Sequence, residues 1–445
     1  MNIWRLKKGS DQRLRSRHPW VFSNELMVSP KGILPGDPIE IQDIKGNFLA
    51  RGFGNPNSLI AFRALSFDLK NAAPHSVEKI AEQIISAWKM RLLRGSEFSY
   101  RVCFSEADLL PGLVIDRYLI ADSGGQVQCL SVQTTTAGMD KIFQNGETII
   151  KLVVAQLFLE KLITQDWSST ILVFKNSSSA RKMEGLPLEE ARVVHNPTQI
   201  NLNDAQIILE NENKNFQLCL YCDILQGQKT GLFLDQSGNI NLVLQQLKRQ
   251  KKFTEKTKYK ILDLCCYMGQ WSAYLAETLL AADHQVEIYL ADVSELALTK
   301  AESNIKAIAK AMGKEKNLEV KAFKLDVLKI SDETKAQLPE NSFDVVISDP
   351  PAFVKNKKVL ETGLHGYMKL NELAFKWAGR DSFVVSCTCS GLVEMSDFKS
   401  ALRKSLLRSG KRAQIIGYGT QGTDHPQSVN FPEGDYLKMV VHHTA

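Results

Sequence analysis

The feature that most constrains this chain is a regular alternation in its C-terminal half, where an apolar strand, a turn and a helix recur in sequence. Residues 258–264, 285–291, 319–325, 343–348 and 382–386 read as strands, and helical stretches at 271–280, 295–312 and 370–378 fall between most of them. Strands joined by crossover helices pair in parallel, so residues 204–445 are expected to form an open, mostly parallel sheet with helices on both faces. Ligands in such sheets bind beyond the carboxyl ends of the strands, near the point where strand order reverses.

The N-terminal part has a different texture. Across residues 1–72 the turn signals Gly36-Asp37, Lys45-Gly46-Asn47 and Asn55-Pro56-Asn57 separate short apolar runs, which predicts a small β-barrel. From Val77 onward Ile80, Ile84, Ile85, Trp88 and Leu92 recur at helical spacing, and Pro111-Gly112 leads into the apolar stretch 113–115. Residues 73–203 therefore read as a mixed α/β middle domain. A chain of 445 residues is long enough for such a division.

Composition narrows the function classes. The longest apolar run, 149–163, is interrupted by Lys151, Gln156, Glu160 and Lys161, so it reads as an amphipathic helix and not as a membrane span. The basic N-terminal residues have no apolar block behind them, so no secretory signal is expected and a cytoplasmic location follows. Eight cysteines in a chain of this length make no disulfide scaffold. Cys219 and Cys222 form a CxxC without a second ligand pair and alternate with apolar neighbours, which points to a packed strand and to no metal site. Net charge is +6, and the first twenty residues hold Arg5, Lys7, Lys8, Arg13, Arg15 and Arg17 against the single acid Asp11. A clustered basic face of that kind suits a phosphate backbone, with Arg13, Arg15 and Arg17 as candidate contacts.

The first strand of the alternating region ends in Ile261-Leu262-Asp263-Leu264-Cys265-Cys266-Tyr267-Met268-Gly269-Gln270-Trp271. An acid at a strand end followed by a glycine turn lets backbone approach a ligand closely. Neither GxGxxG nor GK[ST] is present, which disfavours a pyrophosphate. The next two strands also end near an acid: Asp292 is placed to accept from both hydroxyls of a ribose, and Asp326 from an adenine amino group. Asp at such positions also caps helices, and the two roles are compatible. A ligand with ribose and adenine but no phosphate fits S-adenosylmethionine (SAM).

The fourth strand ends in Asp349-Pro350-Pro351-Ala352-Phe353. Two prolines stiffen the backbone and remove donors, leaving carbonyls and the Asp349 carboxylate to face whatever enters. Phe353 offers a ring for a flipped base, and Lys355, Lys357 and Lys358 could neutralise phosphates. The fifth strand ends in Ser386-Cys387-Thr388-Cys389-Ser390-Gly391. A cysteine there suits methylation of a pyrimidine at C5, which becomes nucleophilic only after a thiolate adds at C6. Asp349 would support the charge developing near N3 and O2. One of the two cysteines is expected to be a buried packing residue.

These motifs resemble those of PUA-domain-containing class I methyltransferases that form 5-methylcytosine in large-subunit ribosomal RNA. His18-Pro19-Trp20-Val21-Phe22, Gly36-Asp37 and Leu49-Ala50-Arg51-Gly52 look like the PUA module, an RNA-binding barrel. In the middle, Ala107-Asp108-Leu109-Leu110-Pro111-Gly112-Leu113-Val114-Ile115-Asp116-Arg117-Tyr118 is similar to a family signature, with one extra Leu, and Arg181-Lys182-Met183-Glu184-Gly185 fits too. Gln228-Lys229-Thr230-Gly231-Leu232-Phe233-Leu234-Asp235-Gln236 is similar to the segment that lines the SAM pocket. Asp349-Pro350-Pro351-Ala352-Phe353, Thr388-Cys389-Ser390-Gly391-Leu392, Asp424-His425-Pro426 and Phe431-Pro432-Glu433-Gly434-Asp435-Tyr436-Leu437-Lys438 match catalytic and C-terminal motifs.

The resemblance implies a Rossmann-like class I methyltransferase domain behind a PUA-like barrel and a middle domain. It also implies Cys389, not Cys387, as nucleophile, with Asp349 as its catalytic partner. SAM would be held by Phe233, Asp235, Gln236, Asp263, Tyr267, Gly269, Asp292, Asp326 and Asp349. RNA, of large-subunit ribosomal type, is the implied partner, and a homodimer stays open. Two positions depart from the pattern: Gln270 stands for a second glycine, and Ser237 for the usual Arg after Asp-Gln. Two other readings stand beside the leading one. The first is SAM-dependent methylation of a base nitrogen, which the Asp-Pro-Pro turn also suits. The second is a non-catalytic RNA-binding or ribosome-assembly protein with a degraded cofactor site, favoured by Gln270 and Ser237.

Overall fold

The structure is a computed structural model that describes every residue except 214, 229, 328 and 330–337. Lys229, quoted in the motif at 228–236, lies outside the described residues. The chain divides into two compact units. One comprises Met1–Ile208, Cys222–Leu232 and Thr423–Gly434, and the other Leu209–Tyr221, Phe233–Gly422 and Asp435–Ala445.

The first unit opens with a five-stranded sheet of β1 (Asn2–Arg5), β2 (Trp20–Phe22), β3 (Pro38–Gln42), β4 (Phe48–Gly54) and β5 (Ile60–Ser66), in the order β1-β3-β4-β5-β2. The predicted turn signals do separate these strands. Trp4, Leu6, Val21, Ile39, Ile41, Ala50 and Phe62 fill the interior. Gly52 is required at the β4–β5 contact, because a Cβ there would meet the Arg63 carbonyl oxygen at 1.9 Å.

A second sheet follows from β6 (Tyr100–Phe104), β7 (Leu113–Asp122), β8 (Gly125–Thr134), β9 (Thr170–Phe174), β10 (Arg192–His195) and β11 (Ala205–Ile208). It runs β10-β9-β8-β7-β11, with β6 also pairing β7. The helix Val77–Leu93 starts where the Ser76 hydroxyl accepts from the Lys79 N–H, and its Ile80, Ile84 and Trp88 face the core, as the spacing predicted. The apolar run near 149–163 forms the helix Gly146–Leu159. Length and composition alone would let the stretch Ala137–Leu159 cross a membrane, but Ile149, Ile150, Val153, Val154 and Leu157 pack into the core beside Leu130 and Leu172.

The CxxC forms the short strand β12 (Cys219–Cys222). Among the described residues no His, Cys, Asp or Glu cluster could hold a metal ion. The second unit is then built on β13 (Lys258–Leu264), β14 (Gln285–Asp292), β15 (Leu318–Lys324), β16 (Phe343–Ser348), β17 (Ala378–Thr388), β18 (Ala413–Thr420) and β19 (Lys438–Thr444). Their order is β15-β14-β13-β16-β17-β19-β18, parallel from β15 through β17, with β19 antiparallel to both neighbours. Order reverses at β13, which is flanked by β14 on one side and β16 on the other. Leu264 pairs with Ala291 and with Ser348, so the residues one step beyond, Cys265, Asp292 and Asp349, reach the same level of the sheet.

Helices Ser237–Arg249, Lys251–Glu255, Gln270–Ala281, Glu295–Ala311, Leu360–Trp377 and Met395–Ser409 also belong to the second unit. The helix expected at 370–378 in fact begins ten residues earlier. Gly363 lies inside the added turns, and the absence of a Cβ there lets the helix approach Val354, whose Cγ2 would lie 2.3 Å from it. Asp326, expected at a strand end, lies two residues beyond β15.

Candidate active site

Asp263 occupies the last but one position of β13 and is fully buried. Its Oδ2 accepts from the Ser272 hydroxyl at 2.7 Å, while Oδ1 has no hydrogen-bond partner among the described residues. Burial pushes the carboxyl up to about 7 against the Ser272 bond, and the nearby charges of Asp349 and Asp292 add to the rise. After Leu264 the backbone turns through three left-handed residues in alternation: Cys265 (φ 63°), Tyr267 (φ 49°) and Gly269 (φ 77°). The Cys265 and Cys266 N–H groups donate to the Ala291 carbonyl at 2.7 and 3.1 Å, which ties the turn to β14. At Gly269 a Cβ would stand 3.0 Å from that of Ala301, so this position also packs against the helix Glu295–Ala311.

Asp292 ends β14. Its Oδ2 accepts from the Tyr267 N–H at 3.0 Å and its Oδ1 from the Ser294 N–H at 2.9 Å. The acid predicted to receive a ribose thus also braces the turn and holds the backbone of Ser294, which caps the next helix. The Tyr267 ring meets Phe233 edge-on, with centroids 5.1 Å apart. Beside them Asp235 accepts from the Tyr436 hydroxyl at 2.5 Å, and its carbonyl from the Gly422 N–H. Asp326 is half-exposed, with Lys329 at 3.9 Å.

Asp349 follows the last residue of β16. One of its oxygens, Oδ2, accepts from two side chains: the Gln236 amide at 2.8 Å and the Trp271 indole N–H at 3.0 Å. Asn239 in turn donates to the Gln236 Oε1 at 2.7 Å, which fixes the amide's orientation. Gln270 is buried, and its Oε1 has no partner among the described residues. Of the predicted cofactor residues, Tyr267 contacts both Phe233 and Asp292, and Gln236 bonds Asp349, while the Asp326 charge is near enough to act on the Cys265 thiol.

The two cysteines at the end of β17 differ sharply. Cys387 is fully buried within the sheet, opposite Met439, and burial first and the Asp349 charge second push its thiol well above the usual range. Cys389 lies just past the strand and is partly accessible, its Sγ 3.8 Å from the Pro350 carbonyl oxygen. The Asp-Pro-Pro turn is secured from below: the buried Tyr367 hydroxyl accepts from the Phe353 N–H at 3.2 Å and bonds Ser390 at 2.9 Å, and Ser390 accepts from the Val354 N–H at 3.1 Å. Phe353 packs on the Tyr367 ring with centroids 4.6 Å apart, while Lys355, Lys357 and Lys358 are exposed on the following loop. The ring of Phe353 is therefore partly committed to packing.

Arg13, Arg15 and Arg17 belong to the first unit. Arg13 stacks over Phe22, Arg15 pairs with Asp11 and Asp43, and the exposed Arg17 lies over Phe67. Sequence reading missed Trp271, Tyr367 and Asn239. Trp271 directly follows the glycine turn and could have been found there; Tyr367 and Asn239 carry no local signal.

Comparison with known proteins agrees with this architecture. Residues 5–67 match the model of a PUA-like domain, and residues 242–411 that of an FtsJ-like methyltransferase. The chain is 30% identical over 439 residues to a ribosomal RNA large subunit methyltransferase I from Aeromonas hydrophila, and 29% identical over 439 residues to that of Tolumonas auensis. In both cases 98% of each chain is covered. Among solved structures, a chain from Streptococcus mutans described as a SAM-dependent methyltransferase superimposes with a TM-score of 0.71 over 100% of both chains at 15% identity. At that identity the likeness is one of fold.

Proposed function

The chain belongs to the family of the ribosomal RNA large subunit methyltransferases I, and from that premise we propose that it forms 5-methylcytosine in ribosomal RNA through a thiolate adduct of Cys389. SAM is its cofactor, and the residues present suit it. Oδ1 of Asp263 is a buried acceptor at the strand end without a partner among the described residues, next to a turn held close to Asp292. Asp263 and Asp292 would hold the donor-rich, cationic molecule, with Phe233 and Tyr267 beside it. When bound, SAM supplies a methyl group on a sulfonium, ready for transfer to a nucleophile.

The observation that carries the reading is the placement of Cys389. It is the cysteine at the accessible end of β17, in contact with the Asp-Pro-Pro turn, whereas Cys387 is sealed in the sheet. In this mechanism the Cys389 sulfur bonds to C6 of the cytosine, and the electron pair of the C5–C6 bond makes C5 nucleophilic. Asp349, held by Gln236 and Trp271, would support the charge that develops near N3 and O2 of the base. C5 takes the methyl group, a base removes the C5 proton, and the electron pair returns to expel the thiolate. Residues 1–72 and 73–203 would hold structured RNA by shape and phosphate contacts, with Arg13, Arg15, Arg17, Lys355 and Lys357 among the cations, while residues 204–445 receive the extruded base.

RNA containing 5-fluorocytosine tests the adduct, because fluorine at C5 cannot leave as a proton does. A covalent protein–RNA species on denaturing gels, lost in Cys389→Ala together with turnover, is the expected result. An active Cys389→Ala protein, or a methylated amino nitrogen in the product nucleoside by mass spectrometry, would reject this reading in favour of nitrogen methylation.

A further inference from the structure

The Asp-Pro-Pro turn stands at the end of β16 and Cys389 just past β17, and one buried side chain joins the two. Pro350 and Pro351 have no N–H to give, so the anchoring of the turn falls on the residues that follow it. The Phe353 N–H donates to the Tyr367 hydroxyl at 3.2 Å, and the Val354 N–H donates to the Ser390 hydroxyl at 3.1 Å. These two hydroxyls bond each other at 2.9 Å. Ser390 directly follows Cys389, and its N–H donates to the Thr388 hydroxyl at 3.2 Å, so Cys389 is carried between two buried, hydrogen-bonded neighbours. The Cys389 sulfur in turn lies 3.8 Å from the Pro350 carbonyl oxygen. A closed circuit results, running from the turn through Tyr367 and Ser390 to the cysteine and back to the turn. Tyr367 is fully buried and Ser390 is 1% exposed, so neither can touch a nucleobase. Burial pushes the Tyr367 phenol up, which keeps its proton available for the bond between the hydroxyls.

We infer that Tyr367 is a positioning residue: through Ser390 and the Phe353 and Val354 N–H groups it sets where the Cys389 sulfur stands relative to the Asp-Pro-Pro turn, and so how that sulfur approaches C6 of the base. The inference rests on the reading of Cys389 as the nucleophile. The Tyr367 ring is held independently of its hydroxyl, by Phe353 at a centroid distance of 4.6 Å and by Phe398 edge-on at 5.6 Å. Phenylalanine would therefore keep the packing and lose only the link. Bond formation between held groups is sensitive to misplacement of about an ångström, at a cost of about a hundredfold in rate. Binding of SAM and RNA does not depend on that alignment, so the bond-forming step alone should respond.

Tyr367→Phe in the full-length protein is the test, with transcribed large-subunit ribosomal RNA containing 5-fluorocytidine as the probe and SAM saturating. The single-turnover rate of covalent adduct formation should fall by about 10–100-fold, while the Kd for SAM by calorimetry and for the same RNA by filter binding each change less than about twofold. Ser390→Ala breaks the same link from the other side and should slow the adduct similarly, so it carries the test if Tyr367→Phe does not fold. Ser405→Ala is the control. It removes a buried hydroxyl that donates to the Met368 carbonyl at 2.7 Å, on the same helix but away from the turn, and should leave the adduct rate within about twofold. Equal slowing in Ser405→Ala, or a loss confined to SAM or RNA binding, overturns the inference. Mapping the trapped peptide separates the two ideas. An unmodified protein that forms no adduct, or forms it at another residue, removes the Cys389 reading and the inference with it. An adduct on Cys389 that forms as fast in Tyr367→Phe and Ser390→Ala as in the unmodified protein removes the role of Tyr367 alone.

Discussion

Cys387 and Cys389 are two residues apart at the end of one strand, yet only the second has left the sheet: Cys387 is sealed opposite Met439, and Cys389 touches the Pro350 carbonyl. Their roles should separate cleanly on mutation. Cys387→Ala removes a small buried side chain and should lower stability by about 1–2 kcal/mol while keeping turnover within a few-fold. Cys389→Ala should keep its melting temperature within about 2 °C and lose at least about a thousandfold in kcat. Differential scanning fluorimetry paired with a methyl-transfer assay checks both, and equal activity loss in the two variants would contradict the assignment.

Asp263 should make the second unit's stability depend on pH. The folded state holds its carboxyl near 7 against the ordinary 3.8, so the folded protein binds the proton more tightly than the unfolded chain does. Stability from this group is therefore greatest below the unfolded value and declines as pH rises from about 4 to about 7, by an amount on the order of 3–4 kcal/mol. Asp263→Asn keeps the acceptor for Ser272 and cannot ionise. In urea denaturation at pH 5 and pH 8 the variant should gain on the parent at the higher pH, and a constant difference between them would show that Asp263 does not titrate in this window.

The glycine turn shows where the sequence could be read and where it could not. Strand ends at Asp263, Asp292 and Asp349 were legible because parallel strands leave a period of apolar runs, and a polar residue at the end of each stands out. The turn itself holds a single glycine. The structure explains this: Cys265 and Tyr267 adopt left-handed backbone that glycine would normally supply, each at a cost of about 1 kcal/mol. A motif search for glycines sees one position where the backbone uses three. Trp271 and Gln236 were invisible as partners of Asp349 for another reason. They are respectively 78 and 113 residues away in the chain, and only the folded sheet brings them to one oxygen.

Lys161 offers a stability test remote from the site. It follows the helix Gly146–Leu159 with φ 56°, its N–H donates to the Phe158 carbonyl, and the Leu162 N–H reaches back to Leu157. That closing pattern normally places glycine at the left-handed position. Lys161 is exposed, so Lys161→Gly should relieve strain without losing packing and stabilise by roughly 0.5–1 kcal/mol, raising the melting temperature by about 1–3 °C. A lowered melting temperature would mean that the chain gains more from restricting the unfolded state than it loses to strain here.

Asp116-Arg117-Tyr118, read in the sequence only as part of a family signature, has a structural duty. Asp116 is fully buried and takes both Arg101 Nε and Nη2 at 2.7 Å, and it also accepts from Thr230; Tyr118 bonds the same Thr230 at 2.8 Å. Arg117 caps the carbonyls of Glu97 and Phe98 and reaches Gln128 and Gln165. Asp424, from the C-terminal signature, joins the same group by accepting from the Arg101 N–H at 2.9 Å. Segments distant in sequence are thus tied together by one buried carboxylate facing one guanidinium. Asp116→Ala would leave Arg101 buried without its counter-charge, which costs about 3–5 kcal/mol, whereas Thr230→Val removes a single hydroxyl and should cost about 1–2 kcal/mol. If Asp116 were instead a binding residue, its loss would lower RNA affinity in a protein that still melts normally. Comparing melting temperature with RNA affinity by filter binding for the two variants decides the point, and a normal melting temperature for Asp116→Ala would refute the structural role.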